Sequence, residues 1–176
     1  MKKTVLLFFF LGLFFSCKEI NSSNKEISDS NIEFTDYYNR KVKVKKEPQT
    51  IISLSPGITE VLFDLGVGEK IVGRTKFCNY PDAALQIEEI GGISDASLEK
   101  IITLRPEIVI TSSMVSKKLV ESIEKAGISI ICLPERSNVE GVYNTLQILG
   151  KIFNKETTAD SLINNMKKEL NEIKSL

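Results

Sequence analysis

The side chains that could do chemistry in this chain are few. Histidine is absent, which removes Ser-His-Asp and Cys-His catalysis and the commonest metal ligand. A metal bound here is expected to arrive inside a ligand. The densest local arrangement is Ser55-Pro56-Gly57: a hydroxyl, a proline suited to a first helical position, and a glycine that lets a ligand approach the backbone. The turn carries no base or acid, so it reads as a surface for holding something and not for changing it. Arg74, Lys76 and Arg136 fall at or near strand ends. Solvated surface charge is the favoured reading for them, and attraction of an anionic ligand the other. The cysteines are Cys17, Cys78 and Cys132. Cys132 lies in the apolar run 128–133 and reads as a small buried hydrophobe; a Cys78–Cys132 disulfide, which export permits, is the alternative.

The elements around Ser55 explain its setting. A β-branched run (Ile51, Ile52, Leu54) enters the turn, and a helical pattern (Ile58, Val61, Leu62, Leu65) leaves it and closes at Gly66. A second strand, Ile71-Val72-Gly73, follows. Strand, turn, helix and strand open a βαβ unit in a parallel sheet, and such sheets bind ligands at strand carboxyl ends. Upstream, residues 33–36 and 42–44 alternate around Asn39-Arg40 as a hairpin. Downstream, the pattern predicts an irregular or helical piece to Gln86, a break at Gly91-Gly92, and a helix at 98–104 capped by Ser97. It then predicts a strand at 107–110, a helix at 116–126 stopped by Gly127, a strand at 128–132 and a helix at 139–153. Residues 156–174 read as a long helix with Leu162, Ile163, Met166, Leu170 and Ile173 apolar. Gly66-Val67-Gly68 follows a helix, and Ile71 stands where a third glycine is needed, so it is no dinucleotide fingerprint.

The N-terminus reads as a targeting segment. Lys2 and Lys3 precede an apolar run from Val5 to Phe15 that is shorter than the ~20 residues of a membrane helix. This suits a secretory signal over residues 1–16. Leu13-Phe14-Phe15-Ser16-Cys17 resembles a relaxed bacterial lipobox, in which Cys17 is lipidated. The polar stretch that follows cannot order itself, so residues 17–33 are expected to be a tether, 34–153 a lobe and 154–176 a connector helix. The 23 basic and 23 acidic residues balance, and the mature chain stays near neutral. No basic stripe points to nucleic acid.

Taken in order, Ile51-Ile52-Ser53-Leu54-Ser55-Pro56, Thr59-Glu60, Val72-Gly73-Arg74-Thr75, Tyr80-Pro81, Gly91-Gly92, Ser97-Leu98-Glu99-Lys100-Ile101 and 104–110 resemble the N-terminal lobe of periplasmic binding proteins. The class is the one that serves ABC importers of iron chelates and vitamin B12. The resemblance implies an α/β, three-layer Rossmann-like lobe with a parallel central sheet, followed by a long inter-lobe helix. It implies that Ser55, Pro56 and Gly57 line the cleft floor, and that Phe77 faces the ligand or, at even weight, the core. Ile93 falls where cobalamin binders can carry Trp. The resemblance makes Glu99 the acid that docks on a membrane permease driven by an ATPase; a helix-capping acid is the plainer reading. Expected ligands are a corrinoid, a ferric siderophore or haem, with no cofactor and no catalysis, at a lipid anchor in the cell envelope. Relatives continue into a second lobe that this chain lacks, so a truncated or split product, or half a clamp, is expected. An exported α/β enzyme and a non-binding lipoprotein remnant are the alternatives.

Overall fold

The computed structural model describes residues 31–134 and 138–175. Strands β1 (Asn31–Thr35) and β2 (Lys41–Lys45) form an antiparallel hairpin. β1 begins inside the span read as tether, because Asn31, Ile32 and Glu33 pair with Lys45, Val44 and Lys43. Ile32, Phe34 and Val42 turn onto the core while the alternate residues face water, the period-2 pattern of a half-buried ribbon.

The main sheet holds β3 (Ile51–Ser53), β4 (Ile71–Arg74), β5 (Ile108–Ser112) and β6 (Ile130–Leu133). All are parallel, in the order β4-β3-β5-β6. Their residues are nearly all buried and mostly apolar, as a sheet covered on both faces requires. β5 runs two residues beyond the expected end: Thr111 and Ser112 pair with Cys132 and Leu133, although their polarity reads as a turn.

Among the described residues five α-helices cover the sheet: α1 (Pro56–Asp64), α2 (Leu98–Leu104), α3 (Lys117–Lys125), α4 (Val139–Phe153) and α5 (Glu156–Lys174). Ile51, Ile108, Ile110 and Ile131 pack with Ile58 and Leu62 of α1, Leu146 and Leu149 of α4, and Ala159 and Ile163 of α5. On the other face Ile52, Leu54 and Val109 meet Ile101 of α2 and Val120 and Ile123 of α3. The result is the expected three layers. α4 ends at Asn154 in a left-handed conformation (φ 57°), and α5 turns back along it. Their approach needs Gly150, where a Cβ would stand 2.9 Å from the Ala159 side chain. α5 is about 28 Å long at 1.5 Å per residue. Only Ala159 and Ile163 are fully buried along it, and Ile173 lies exposed.

Cys78 and Cys132 are free thiols, both buried. Burial pushes the Cys132 thiol up to about 12, with the nearby Asp36 carboxylate adding to the rise.

Candidate ligand-binding site

Because the four strands are parallel, every loop that leaves a strand does so at the same end of the sheet. β3 comes first in the chain yet lies between β4 and β5, so the order of winding reverses at its carboxyl end. Open α/β sheets bind ligands at that reversal.

Ser55 starts α1 there with extended backbone (φ −146°, ψ 131°), and its hydroxyl makes no capping bond. Its carbonyl accepts the Thr59 amide at 3.0 Å. Thr59 Oγ1 lies 2.8 Å from Ser53 Oγ and 3.1 Å from Ser55 O, and this buried hydroxyl set fixes the turn. Pro56 has no N–H to satisfy, and Gly57 is half-buried. With Ser55 uncommitted, the first-turn amide of Gly57 remains a donor at the sheet's end.

The flanking strands send out large apolar side chains. After β4, Phe77 is 50% and Tyr80 66% exposed; after β5, Met114 is 69% exposed. β4 and β5 stand one strand to either side of β3, about 10 Å apart at the usual sheet spacing. The Ser-Pro-Gly floor therefore lies between an aromatic side and a thioether side. Lys76 Nζ sits 5.3 Å from the Phe77 ring centroid. Tyr38 closes the β5 side by donating its hydroxyl to Val115 O at 2.7 Å, and burial raises its phenol above the ordinary value. Phe77 is thus outside the core. Sequence reasoning does not single out Tyr80 and Met114 as ligand contacts. Met114 stands two residues past the end of β5 at Ser112, a position that marks it only once β5 is seen to lie beside β3.

Ile93 is half-buried and packs on the cluster of Ile52, Leu54 and Ile90. It follows the Gly91-Gly92 bend, whose Gly91 carbonyl accepts the Lys76 amide at 2.9 Å, so it belongs to the β4 side. Arg74 corrects an expectation: it is neither solvated nor free to meet an anion. Its side chain is buried at 7% exposure and donates to the carbonyls of Ala84 (2.7 Å), Thr75 (3.0 Å) and Leu85 (3.4 Å). Lys76 is exposed. Arg136 and Cys17 lie outside the described residues. Within those residues, no group of three His, Cys, Asp or Glu side chains could hold a metal ion, and no helix is long and apolar enough to cross a membrane.

Glu99 stands on a separate element tied to the same end of the sheet, because the Ser97 amide donates to Ile90 O at 2.8 Å and the Ile90 amide to Arg74 O at 2.9 Å. It is exposed in the first turn of α2, whose cap Ser97 Oγ accepts the Lys100 amide at 3.2 Å. With Glu88, Ser97, Lys100, Thr103 and Leu104 it lines an open depression of about 480 Å³. Lys100 Nζ pairs with Glu88 at 2.7 Å and holds that carboxyl below its ordinary value.

Residues 51–176 match a protein family described as periplasmic binding protein. The chain belongs to the periplasmic binding protein family. It is 32% identical over 145 residues to a Bacillus subtilis protein named as an uncharacterized ABC transporter substrate-binding lipoprotein, YvrC; the match covers 81% of this chain and 46% of that protein. It is 34% identical over 84 residues to the vitamin B12-binding protein of Vibrio vulnificus, covering 47% of this chain and 30% of that one. Among solved structures, a periplasmic heme-binding protein from Pseudomonas aeruginosa superposes with a TM-score of 0.69 at 23% identity, over 71% of this chain and 45% of that one. This periplasmic binding protein chain thus spans about half the length of YvrC, and the solved structure supports its fold.

Proposed function

We propose that this chain is the ligand-capturing N-terminal lobe of an extracytoplasmic binding protein serving an ABC importer of metal chelates. The ligand is a corrinoid, haem or a ferric siderophore. Ser55, Pro56 and Gly57 form the floor, Phe77, Tyr80 and Met114 the flanks, and Ile93 supports the β4 side. One observation carries the reading: large apolar side chains stand exposed on both sides of an uncapped helix start at the sheet's winding reversal. Exposed apolar groups gathered at one functional edge mark a binding surface more than a solvated one. The role is capture without catalysis, and the relatives named above are binding proteins.

In this reading Glu99, exposed in the first turn of α2, docks on the permease that an ATPase drives. Cys17 carries the lipid that holds the lobe at the envelope, after removal of residues 1–16, and α5 is the inter-lobe connector. Titration of the purified chain with haemin, cyanocobalamin and a ferric trihydroxamate tests the site. At least one should bind, and Phe77→Ala and Met114→Ala should each weaken it about tenfold, a loss near 1.4 kcal/mol. Folded chain that binds none of the three, or binding indifferent to both substitutions, overturns the reading. Glu99→Ala should leave affinity unchanged and abolish uptake in cells. Intact mass of membrane-extracted protein should show lipid on Cys17.

A further inference from the structure

Arg74 holds an arrangement that the ligand floor alone does not require. The chain leaves β4 at Arg74 and comes back to the same residue: the Arg74 amide donates to Glu88 O at 3.0 Å, and its carbonyl accepts the Ile90 amide at 2.9 Å. Residues 75–89 therefore form an excursion fastened at both ends to one backbone unit. The side chain fastens its middle through the carbonyls of Ala84 and Leu85, and its first residue through Thr75 O. Ala84 and Leu85 belong to the single 3-10 turn Asp82–Gln86, whose carbonyls cannot all be satisfied within so short a helix. The excursion carries Phe77 and Tyr80.

A cation buried to this degree is ordinarily paired with a carboxylate. Arg74 has no ion pair among the described residues; its bonds run to backbone carbonyls. A guanidinium suits this because its planar fork presents five donors in fixed directions, whereas an ammonium is a compact point charge on a flexible stem. The excursion's other backbone bonds are mostly local, such as Cys78 N to Thr75 O and Ile87 N to Ala84 O; Lys76 N to Gly91 O is a second tie across it. We infer that Arg74 is a positioning residue: without touching ligand, it preorganises the aromatic flank by locking the 75–89 excursion to the end of β4. This rests on the ligand-site reading above. Preorganisation raises affinity by removing the ordering cost from the binding step.

The chain has no tryptophan, so Phe77→Trp introduces a single indole emitter on the flank in question. In that background, Arg74→Gln should raise acrylamide quenching of the indole and lower its anisotropy in the ligand-free chain. It should also weaken haemin binding, followed by quenching of the same indole, about tenfold. Arg74→Lys should restore part of both. Ile123→Ala, on the buried face of α3, serves as the control that lowers stability without touching the excursion. If Ile123→Ala loosens the indole as much as Arg74→Gln does, or if Arg74→Gln and Arg74→Lys leave it as ordered as in the Phe77→Trp parent, the inference is overturned. Should Arg74→Gln fail to fold, Arg74→Lys carries the comparison alone, with a looser indole than the parent's expected. A folded chain with Phe77 intact that binds no haemin, cobalamin or siderophore sinks the ligand reading, while the order of the indole in the ligand-free Phe77→Trp chain still decides whether Arg74 locks the flank.

Discussion

The Asp36 carboxylate accepts the backbone amide of Cys132 at 3.3 Å, joining residues 96 positions apart. The same fully buried side chain accepts from the amides of Tyr38 (2.9 Å) and Arg40 (3.1 Å) and pairs with the Arg40 guanidinium. Tyr37 N donates back to Cys132 O at 2.8 Å. The hairpin is thereby latched to the outer edge of β6. Arg40 would keep Glu124 at 2.6 Å, but the amides of Tyr38, Arg40 and Cys132 would lose a buried acceptor, so Asp36→Ala should cost about 3 kcal/mol. Asp36→Asn should fall in between, because an amide keeps part of the acceptor capacity. Urea unfolding of the three proteins measures this. A loss below about 1 kcal/mol would show that the latch is a surface contact.

Helix caps separate the structural Asn138 from Ser55, the residue proposed for the ligand floor. Asn138 Oδ1 accepts the Gly141 amide at 2.8 Å at the start of α4, and Asn138→Ala should cost about 1 kcal/mol. Ser55 occupies the matching place in α1 without a capping bond. Ser55→Ala should therefore cost well under half as much and act on chelate affinity instead. Equal losses in thermal or urea unfolding would contradict this difference.

Ser112 Oγ is buried with no hydrogen-bond partner among the described residues. An unsatisfied buried hydroxyl costs about 1 kcal/mol or more. Ser112→Ala should stabilise the chain by roughly that amount. A destabilised variant would mean that the hydroxyl has a partner, such as an ordered water.

Cys132 sets an alkaline limit. Its folded thiol is pushed up to about 12 by burial, against an ordinary 9.0. Between those values the folded state keeps a proton that the unfolded state has lost. Stability from this group is intact below about pH 9 and falls as pH rises toward 12. Cys132→Ala should flatten that decline in urea midpoints measured from pH 8 to 11. Folded protein at pH 8 should also resist iodoacetamide at Cys132, since thiolate is the reactive form.

Periodicity revealed the layers because it is local. Ser97 caps its helix as expected, and Ser116, read as the first helical residue, proves to be the cap of α3. The apolar faces of α4 and α5 repeat at helical spacing, and their ends agree with the expected 139–153 and 156–174. What misled was set by partners far along the chain. Thr111 and Ser112 look like a turn until Cys132 and Leu133 pair with them. Asn31 looks like tether until Lys45 lies opposite. Arg74 looks like surface charge because nothing near it in sequence announces that carbonyls ten and eleven residues on will surround it. At the candidate site, the helix start at Ser55-Pro56-Gly57 was legible from its own turn chemistry. Met114 was not, since its setting depends on β5 lying beside β3.

The strand order also has a meaning in time. β3 is made first and ends in the interior, so the sheet grows outward, to β4 on one side and to β5 and β6 on the other. As synthesis proceeds from the N-terminus, β5 presents a bare hydrogen-bonding edge until residues 130–133 emerge. That edge, Ile108-Val109-Ile110, is uncharged and β-branched, the composition most prone to pairing with another chain. A ribosome paused before Ile130 would hold a nascent chain at its stickiest, with the hairpin already made and nothing yet for it to close upon.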